Sequence, residues 1–478
     1  MNPAHPPAAP EHVRRLVTLG YVSLAVALVF LWQKQEWENP LLGIANLTML
    51  ALGIIPLLRW LQRNDATYPI MEFLLLTTVP FYAIPALTNH EALVNYPEEI
   101  ILRSALVVIA FQLSCIGGSI VAAQSYRPRA QSGESWWRTA IMPDEKMGFT
   151  AYTALVATAW VAIATFTSVV PPAWIGTLRA IFFGIGIISV FVQARLWGAG
   201  QLSNGMKTLF VFNIALQVGL TFVSLLLING MSLLLTAGIG YFSVARRVPW
   251  LPVVLILPVL AILHNGKSQM RLLYWEGKQA SPSLAQLPAY FTQWIELGLS
   301  RGEEIEEKNS QALTYGLMRR ASLFQIVCVA VDTMPDRTPF LHGETYSILL
   351  PQIAPRFLWP NKPSPHLSVK ILSVQLGVLS MEEAESTSVG FGMLTEAYAN
   401  FGMLNVALLG AIFGWLFRRL ALVTEHSATL SPAGLFRILC LVWCLSAETT
   451  LAVWFSSLYQ ACIAIGVPLL GLRSIFSK

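Results

Sequence analysis

Apolar residues in this chain run in long blocks separated by short polar connections, and they do not alternate with polar residues as a half-buried strand would require. A helix crossing the hydrocarbon core of a bilayer needs about 20 consecutive apolar residues. Twelve stretches approach that length: 14–32, 41–60, 70–88, 101–123, 150–170, 173–195, 207–228, 231–245, 249–264, 391–417, 433–452 and 454–473. The eighth and ninth are short or Pro-rich, so one of the two suits a re-entrant segment better than a span. The pattern predicts an all-α polytopic integral membrane protein with about 12 transmembrane helices. Residues 1–13 read as a disordered start, 14–264 as a bundle of about nine helices, and 389–478 as about three more. Between them, residues 265–388 form one long polar loop.

Inside that loop the periodicity changes. Tyr290, Phe291, Trp294 and Ile295 recur at helical spacing within Leu287–Leu299, which predicts a helix lying at the membrane surface. A second helical stretch covers Ala312–Val331, with Arg319 and Arg320 opposite the apolar run Leu323–Val331. Glu303, Glu304, Glu306 and Glu307 between the two read as a solvated acidic turn. A polar helix follows through Lys370 and Gln375.

Composition agrees with the block pattern and excludes a soluble globular protein. Hydrophobic residues make up 55% of the 478 and charged residues 12%, against roughly 25% charged in soluble chains. Orientation follows from the basic residues, which gather in cytoplasmic connections. Arg14/Arg15, Arg59/Arg63, Arg127/Arg129/Arg138/Lys146, Arg195/Lys207, Arg246/Arg247, Arg418/Arg419/Arg437 and Arg473/Lys478 fall on one side of the twelve spans. Both termini are then cytoplasmic and the long loop faces outward, which the resemblance given below would make periplasmic. The net charge of +5 reflects this cytoplasmic excess and no nucleic-acid surface. Arg14 and Arg15 precede the first apolar run as in a signal peptide. That run is too long and has no small-residue cleavage site, so it reads as a retained helix.

The five cysteines form no disulfide scaffold. Cys115, Cys440, Cys444 and Cys462 lie in apolar spans and Cys328 in the loop; Cys440 and Cys444 share a helix face as core packing. No CxxC, HExxH, Walker or GxGxxG pattern is present, and no metal or cofactor is expected.

Three features of the loop and its flanks carry candidate chemistry. Lys267, Arg271, Arg319, Arg320, Arg356 and Lys362 are outward cations. Arg presents a planar fork that matches phosphate oxygens, and Lys adds a compact charge. Headgroup anchoring or surface ion pairing accounts for any one of them alone. Arg356 stands apart because Pro355 and Pro360 stiffen its backbone and Trp359 offers a stacking face. Glu396 lies about two turns into the tenth span, where a carboxylate is expensive and is either functional or paired. A general base is one reading, and a buried pair with a loop Arg is the other. Glu448 and Arg179 read as a structural pair. Aromatic belts explain most of Trp275, Trp294, Tyr346, Trp359 and Tyr398, with sugar stacking as the alternative for Trp359, Tyr346 and Tyr398. His264 and His366 are weaker proton carriers.

Gly343-x-x-Tyr346, the run Pro355-Arg356-Phe357-Leu358-Trp359-Pro360-Asn361-Lys362-Pro363, and Thr387-Ser388-Val389-Gly390-Phe391-Gly392 followed by Glu396-Ala397-Tyr398-Ala399-Asn400-Phe401-Gly402 resemble the Wzy-type O-antigen and exopolysaccharide repeat-unit polymerases of bacteria. Gly266-Lys267-x-x-Met270-Arg271 and Arg319/Arg320 also look like that family. The resemblance covers one loop and one span. It implies a GT-C-like bundle in the inner membrane and a glycosyltransferase without a nucleotide sugar. The implied partners are undecaprenyl-diphosphate-linked donor and acceptor, membrane lipids, a flippase and a chain-length regulator, with no nucleic acid. Lys267, Arg271, Arg319, Arg320, Arg356 and Lys362 would hold the departing diphosphate, and Glu396 would activate the acceptor hydroxyl, with His264 or His366 sharing that role. An O-antigen ligase is the nearest alternative. A lipid-linked oligosaccharide flippase is more distant, since its cations would line a central cavity.

Overall fold

A computed structural model describes residues 10–34, 39–63, 67–88, 91–127, 136–140, 147–167, 172–225, 227–276, 282–299, 323–354, 359, 361–386, 389–429, 431–446 and 448–476. Among them every regular element is helical, and each of the twelve apolar stretches holds a helix. In chain order these are α1 (Glu11–Lys34), α2 (Pro40–Arg63), α3 (Ile70–Leu87), α4 (Glu98–Gln124), α5 (Met147–Phe166), α6 (Pro172–Gly198), α7 (Asn204–Phe222), α8 (Leu227–Ala245) and α9 (Trp250–Arg271). They continue with α10 (Leu287–Leu299), α11 (Leu323–Thr333), α12 (Leu367–Gln375), α13 (Gly392–Val423), α14 (Pro432–Trp443) and α15 (Leu451–Phe476). Among the described residues, 8 helical segments are long and apolar enough to cross a membrane: α1, α2, α3, α4, Ile181–Gly198 of α6, α7, Trp250–Lys267 of α9, and α13.

Exposure separates the lipid-facing helices from the interior ones. Leu19, Val22, Val26, Val29 and Phe30 of α1 are all exposed, as are Leu251, Val254, Leu255 and Leu257 of α9. Apolar surface that continuous suits hydrocarbon and not water. In α3, by contrast, Ile70, Met71, Leu74, Leu75, Val79, Tyr82 and Ala83 are all buried.

The chain divides into two compact units. The first comprises Met1–Thr139 and Met318–Tyr459, and the second Ala140–Leu317 and Gln460–Lys478. The boundary at Leu317/Met318 falls within 265–388, so that stretch is divided between the two units.

In the first unit α4 and α13 pack along each other at backbone distance. Gly410 and Gly414 of α13 face the backbone of Phe111 and Cys115, and Gly118 of α4 faces that of Ala411. Small residues four apart allow such an approach between membrane helices. Polar cross-links tie α2 and α3 to this pair: Gln112 Nε2 donates to the Met49 carbonyl (3.0 Å) and to Thr78 Oγ1 (2.6 Å), and Asn46 Nδ2 to the Ala86 carbonyl (3.3 Å). The apolar run Leu323–Val331 is buried throughout α11, so it is core and not an outward amphipathic face.

The unit has two chemically distinct ends. At one, the amides of Ala428 and Ala433 donate to the carbonyls of Arg138 (3.1 Å) and Trp137 (3.0 Å). Arg419 stacks on Tyr126 and Trp415 there. Arg437 is buried; Nη1 donates to the Thr424 carbonyl at the C-terminus of α13 (2.8 Å), and its guanidinium lies 3.7 Å over the Tyr68 ring. A cation at a helix C-terminus offsets the carbonyl dipoles. The opposite end receives residues 340–354 and 361–376.

In the second unit, α10 packs one face against its neighbours. Its Tyr290 and Trp294 are buried, with Trp294 Nε1 donating to the Leu263 carbonyl (2.8 Å) and the Tyr290 hydroxyl to that of Val223 (3.2 Å). The helical spacing of its aromatics thus serves docking against α9. Thr158 Oγ1 donating to Asn213 Oδ1 (2.8 Å) links α5 to α7.

Candidate functional site

The site end of the first unit is built around a break in α13. Phe401 (φ −147°, ψ 21°) and Gly402 (φ 68°, ψ −155°) leave helical geometry. Gly402 occupies a left-handed conformation that a residue with a Cβ adopts only at a cost, and an added Cβ would lie 3.1 Å from Phe340. A break within an apolar helix frees backbone carbonyls that lipid cannot satisfy. Here the chain itself satisfies them. The Ala399 carbonyl accepts from the Leu341 amide (2.9 Å), that of Asn400 from His342 (3.1 Å), and that of Ala397 from Asn405 Nδ2 (2.9 Å).

Asn400, fully buried, knots the docked segment in place. Its Oδ1 accepts from the Gly343 amide (3.0 Å), and Nδ2 donates to Thr345 Oγ1 and to the Glu396 carbonyl, both at 2.8 Å. Asn405 Nδ2 also donates to the Tyr346 hydroxyl (2.8 Å). Gly343 (φ 91°) makes the turn between these contacts.

Glu396 lies at this end, as the sequence predicts, but its side chain is 0% exposed. Its Oε2 accepts from the amide of Leu451, the first residue of α15, where a carboxylate meets the positive end of a helix dipole. Its Oε1 has no partner of good hydrogen-bond geometry among the described residues, although the Thr345 hydroxyl is near enough to act on the carboxylate. The partner seen for Oε2 is thus a backbone N–H; the loop arginines Arg319, Arg320 and Arg356 of the alternative reading lie outside the described residues. The Tyr346 phenol is half-buried nearby. Burial pushes its pKa up, the negative charge of Glu396 adds to the rise, and the Asn405 hydrogen bond opposes it.

The Pro/Arg/Trp/Lys run closes on its own stem. Lys362, 7% exposed, donates from Nζ to the carbonyls of Ala354 (2.7 Å) and Gln352 (3.3 Å), and Gln352 Nε2 donates to the Pro363 carbonyl (3.1 Å). The predicted phosphate cation therefore directs its charge at backbone carbonyls, tying Lys362 to Gln352 and Ala354. Trp359, 45% exposed, projects from the closed loop. The Tyr459 hydroxyl donates to the Ile353 carbonyl (3.2 Å), and Ser368 and Thr450 share a hydroxyl–hydroxyl bond of 2.8 Å. These two bonds anchor the loop and α12 to the chain around the start of α15. His366 is exposed just before α12. Tyr398 packs edge-on against Phe340 at 6.0 Å with its hydroxyl 3.5 Å from the Met334 carbonyl, a packing role. Arg319, Arg320 and Arg356 lie outside the described residues.

In the second unit the helical register of α9 brings three predicted residues together. His264, Lys267 and Arg271 share one face at i, i+3 and i+7, near enough for both cations to act on the imidazole. Arg271 Nη2 donates to the Leu225 carbonyl (3.0 Å). Among the described residues no three His, Cys, Asp or Glu side chains are placed to hold a metal ion.

Asn405, Thr345 and the structural part played by Asn400 escape a sequence reading keyed to charge. The available signal is an amide pair flanking Phe-Gly inside an apolar run, which marks a helix break with its own hydrogen-bond partners. A family model described as Domain of unknown function (DUF8712) matches residues 188–428, half of the chain, including the closed loop and the break in α13. No curated protein and no solved structure matches the chain.

Proposed function

The chain belongs to the family described as Domain of unknown function (DUF8712), and we propose that it is a Wzy-type repeat-unit polymerase. In this reading it joins undecaprenyl-diphosphate-linked oligosaccharides into O-antigen or exopolysaccharide at the periplasmic face of the bacterial inner membrane. The supporting observation is a convergence at one end of the first unit. The Lys362-stapled loop, the segment docked on the broken helix, and the start of α15 are joined there by the Tyr459–Ile353, Ser368–Thr450 and Asn405–Tyr346 hydrogen bonds. This end is opposite the one that gathers Arg138, Arg419 and Arg437, and the distribution of basic residues favours the outer side for it.

The chemistry is glycosyl transfer from a lipid diphosphate. The anomeric carbon of the growing chain bonds to an acceptor hydroxyl oxygen as its bond to the diphosphate breaks, and the diphosphate leaves with the electron pair. Charge develops on the leaving oxygens, where fixed cations lower the barrier. Arg356, carried between Pro355 and Pro360, supplies such a fork. Trp359 offers an exposed ring face for a sugar.

Deletion of the gene, followed by analysis of lipid-linked glycans, tests the reading. Single lipid-linked repeats accumulate if the chain is a polymerase. Accumulated lipid-linked polymer identifies a ligase, and unchanged glycans end the proposal. In the complemented strain Arg356→Ala abolishes long-chain glycan while leaving protein level in the membrane unchanged.

A further inference from the structure

A glycosyl transfer needs a group that takes the acceptor proton, and that group must be reachable by the acceptor. Glu396 is sealed and engaged with Leu451. A second carboxylate stands at the same end of the unit and is exposed: Glu448, in the connection between α14 and α15. Its backbone is fixed, because its carbonyl accepts from the Gly392 amide at the start of α13 (3.1 Å). Its side chain lies against Gly390, whose missing Cβ would stand 3.3 Å from Glu448 Cβ and 3.8 Å from Oε2. Two residues on, Thr450 bonds Ser368, which ties the Glu448 connection to the start of α12.

A second observation concerns a buried phenol of α3. Tyr82 belongs to the π-helical turn Val79–Ala83 within α3, a distortion frequent at functional sites. Tyr82 is 1% exposed and its hydroxyl has no hydrogen-bond partner among the described residues. A buried orphan hydroxyl is unfavourable unless a partner arrives. Glu448 is near enough for its charge to act on that phenol.

Resting on the polymerase reading, we infer that Glu448 is the base that accepts the acceptor-hydroxyl proton, with Tyr82 as a positioning residue that donates a hydrogen bond to the Glu448 carboxylate. The acceptor oxygen then bonds to the anomeric carbon, the diphosphate leaves with its electron pair, and Glu448 afterwards releases the proton to water.

The test uses the full-length protein, purified in detergent, with a synthetic polyprenyl-diphosphate-linked repeat as both donor and acceptor. General-base loss costs about a hundredfold or more in turnover, so Glu448→Gln is expected to fall by at least that factor with an unchanged elution profile. Glu448→Asp retains part of the activity, and added formate restores turnover to Glu448→Ala, which a purely structural carboxylate would not permit. Tyr82→Phe lowers kcat severalfold and leaves the acceptor KM unchanged. Glu448→Gln turning over within threefold of wild type overturns the base assignment, as does Glu448→Ala that formate leaves inactive. Equal kcat for Tyr82→Phe overturns the positioning role. If Glu448→Gln is active while Arg356→Ala is not, the polymerase reading stands and the base assignment alone falls. If wild type itself makes no polymer from the repeat and gene deletion accumulates none, both fall together.

Discussion

The two halves of α13 obey different rules. From Val406 onward the buried positions are Val406, Leu409, Gly410, Phe413, Gly414, Phe417 and Ala421, the stripe of a helix with one packed face. The other face is bare: Leu404 is 80% exposed, and Leu408, Ile412 and Leu416 are exposed too. Above the break at Phe401–Gly402, burial runs all round the helix and includes Thr395, Glu396 and Asn400. The lower half is thus held by close apolar packing beside lipid. The upper half is held by hydrogen bonds to other segments, and it is where the loop and α15 arrive. In this molecule a departure from helical regularity marks the place where separate segments are tied together by hydrogen bonds.

The largest expected effect attacks the lower half. Gly414→Leu places a branched side chain against the α4 backbone at Cys115, where nothing short of helix separation makes room. Overpacking of a tight core costs about 1–3 kcal/mol and occasionally more, and a contact with backbone belongs to the upper part of that range. The expected outcome is loss of folded protein from the membrane fraction, read by immunoblot and by size-exclusion profile in detergent. A monodisperse Gly414→Leu protein would mean the α4–α13 contact is not what holds this half together. Asn400→Ala attacks the upper half and is expected to do less. It leaves the Gly343 amide without its acceptor and Thr345 without its donor. Each buried group so orphaned costs about 1–3 kcal/mol. The protein should still insert, with lowered thermal stability in detergent and a marked loss of polymer as residues 341–346 detach. Wild-type melting for Asn400→Ala would remove the hydrogen-bonded network from the account of the upper half.

The same contrast explains what was legible in the sequence. Apolar block length is a local property, so all twelve helical stretches stand out along the chain, and the lower half of α13 is predictable from its stripe. The run Leu323–Val331 was legible as a helix but not as core, because only tertiary contacts decide whether an apolar helix beside a polar loop faces inward. Lys362 and Glu396 stood out by charge. Their partners did not, since backbone carbonyls at Gln352 and Ala354 and a backbone amide at Leu451 carry no sequence signature. Asn405 and Tyr82 went unread for a related reason: an uncharged polar residue in an apolar run counts little in hydropathy, yet it decides where a break is satisfied or an unpartnered hydroxyl waits.

Glu396→Gln is expected to have the smallest effect, and it bears hardest on the division between the two halves. A glutamine amide oxygen can still accept from the Leu451 amide, so the start of α15 keeps its tie to α13. Replacing a sealed carboxylate by a neutral amide also lowers the desolvation cost of charge. The new NH2 takes the place of Oε1, which lacks a partner of good hydrogen-bond geometry among the described residues, and that works in the opposite direction. The two contributions are similar in size, so melting in detergent should move by a few degrees at most and polymer yield should stay within about threefold of wild type, far short of the losses general-base removal causes. Glu396→Ala, which removes the acceptor altogether, should melt measurably lower than Glu396→Gln. A glutamine variant that folds like wild type but makes no polymer would move the proton chemistry from the exposed connection into the buried half, and Glu396 would then act as more than the clasp between two helices.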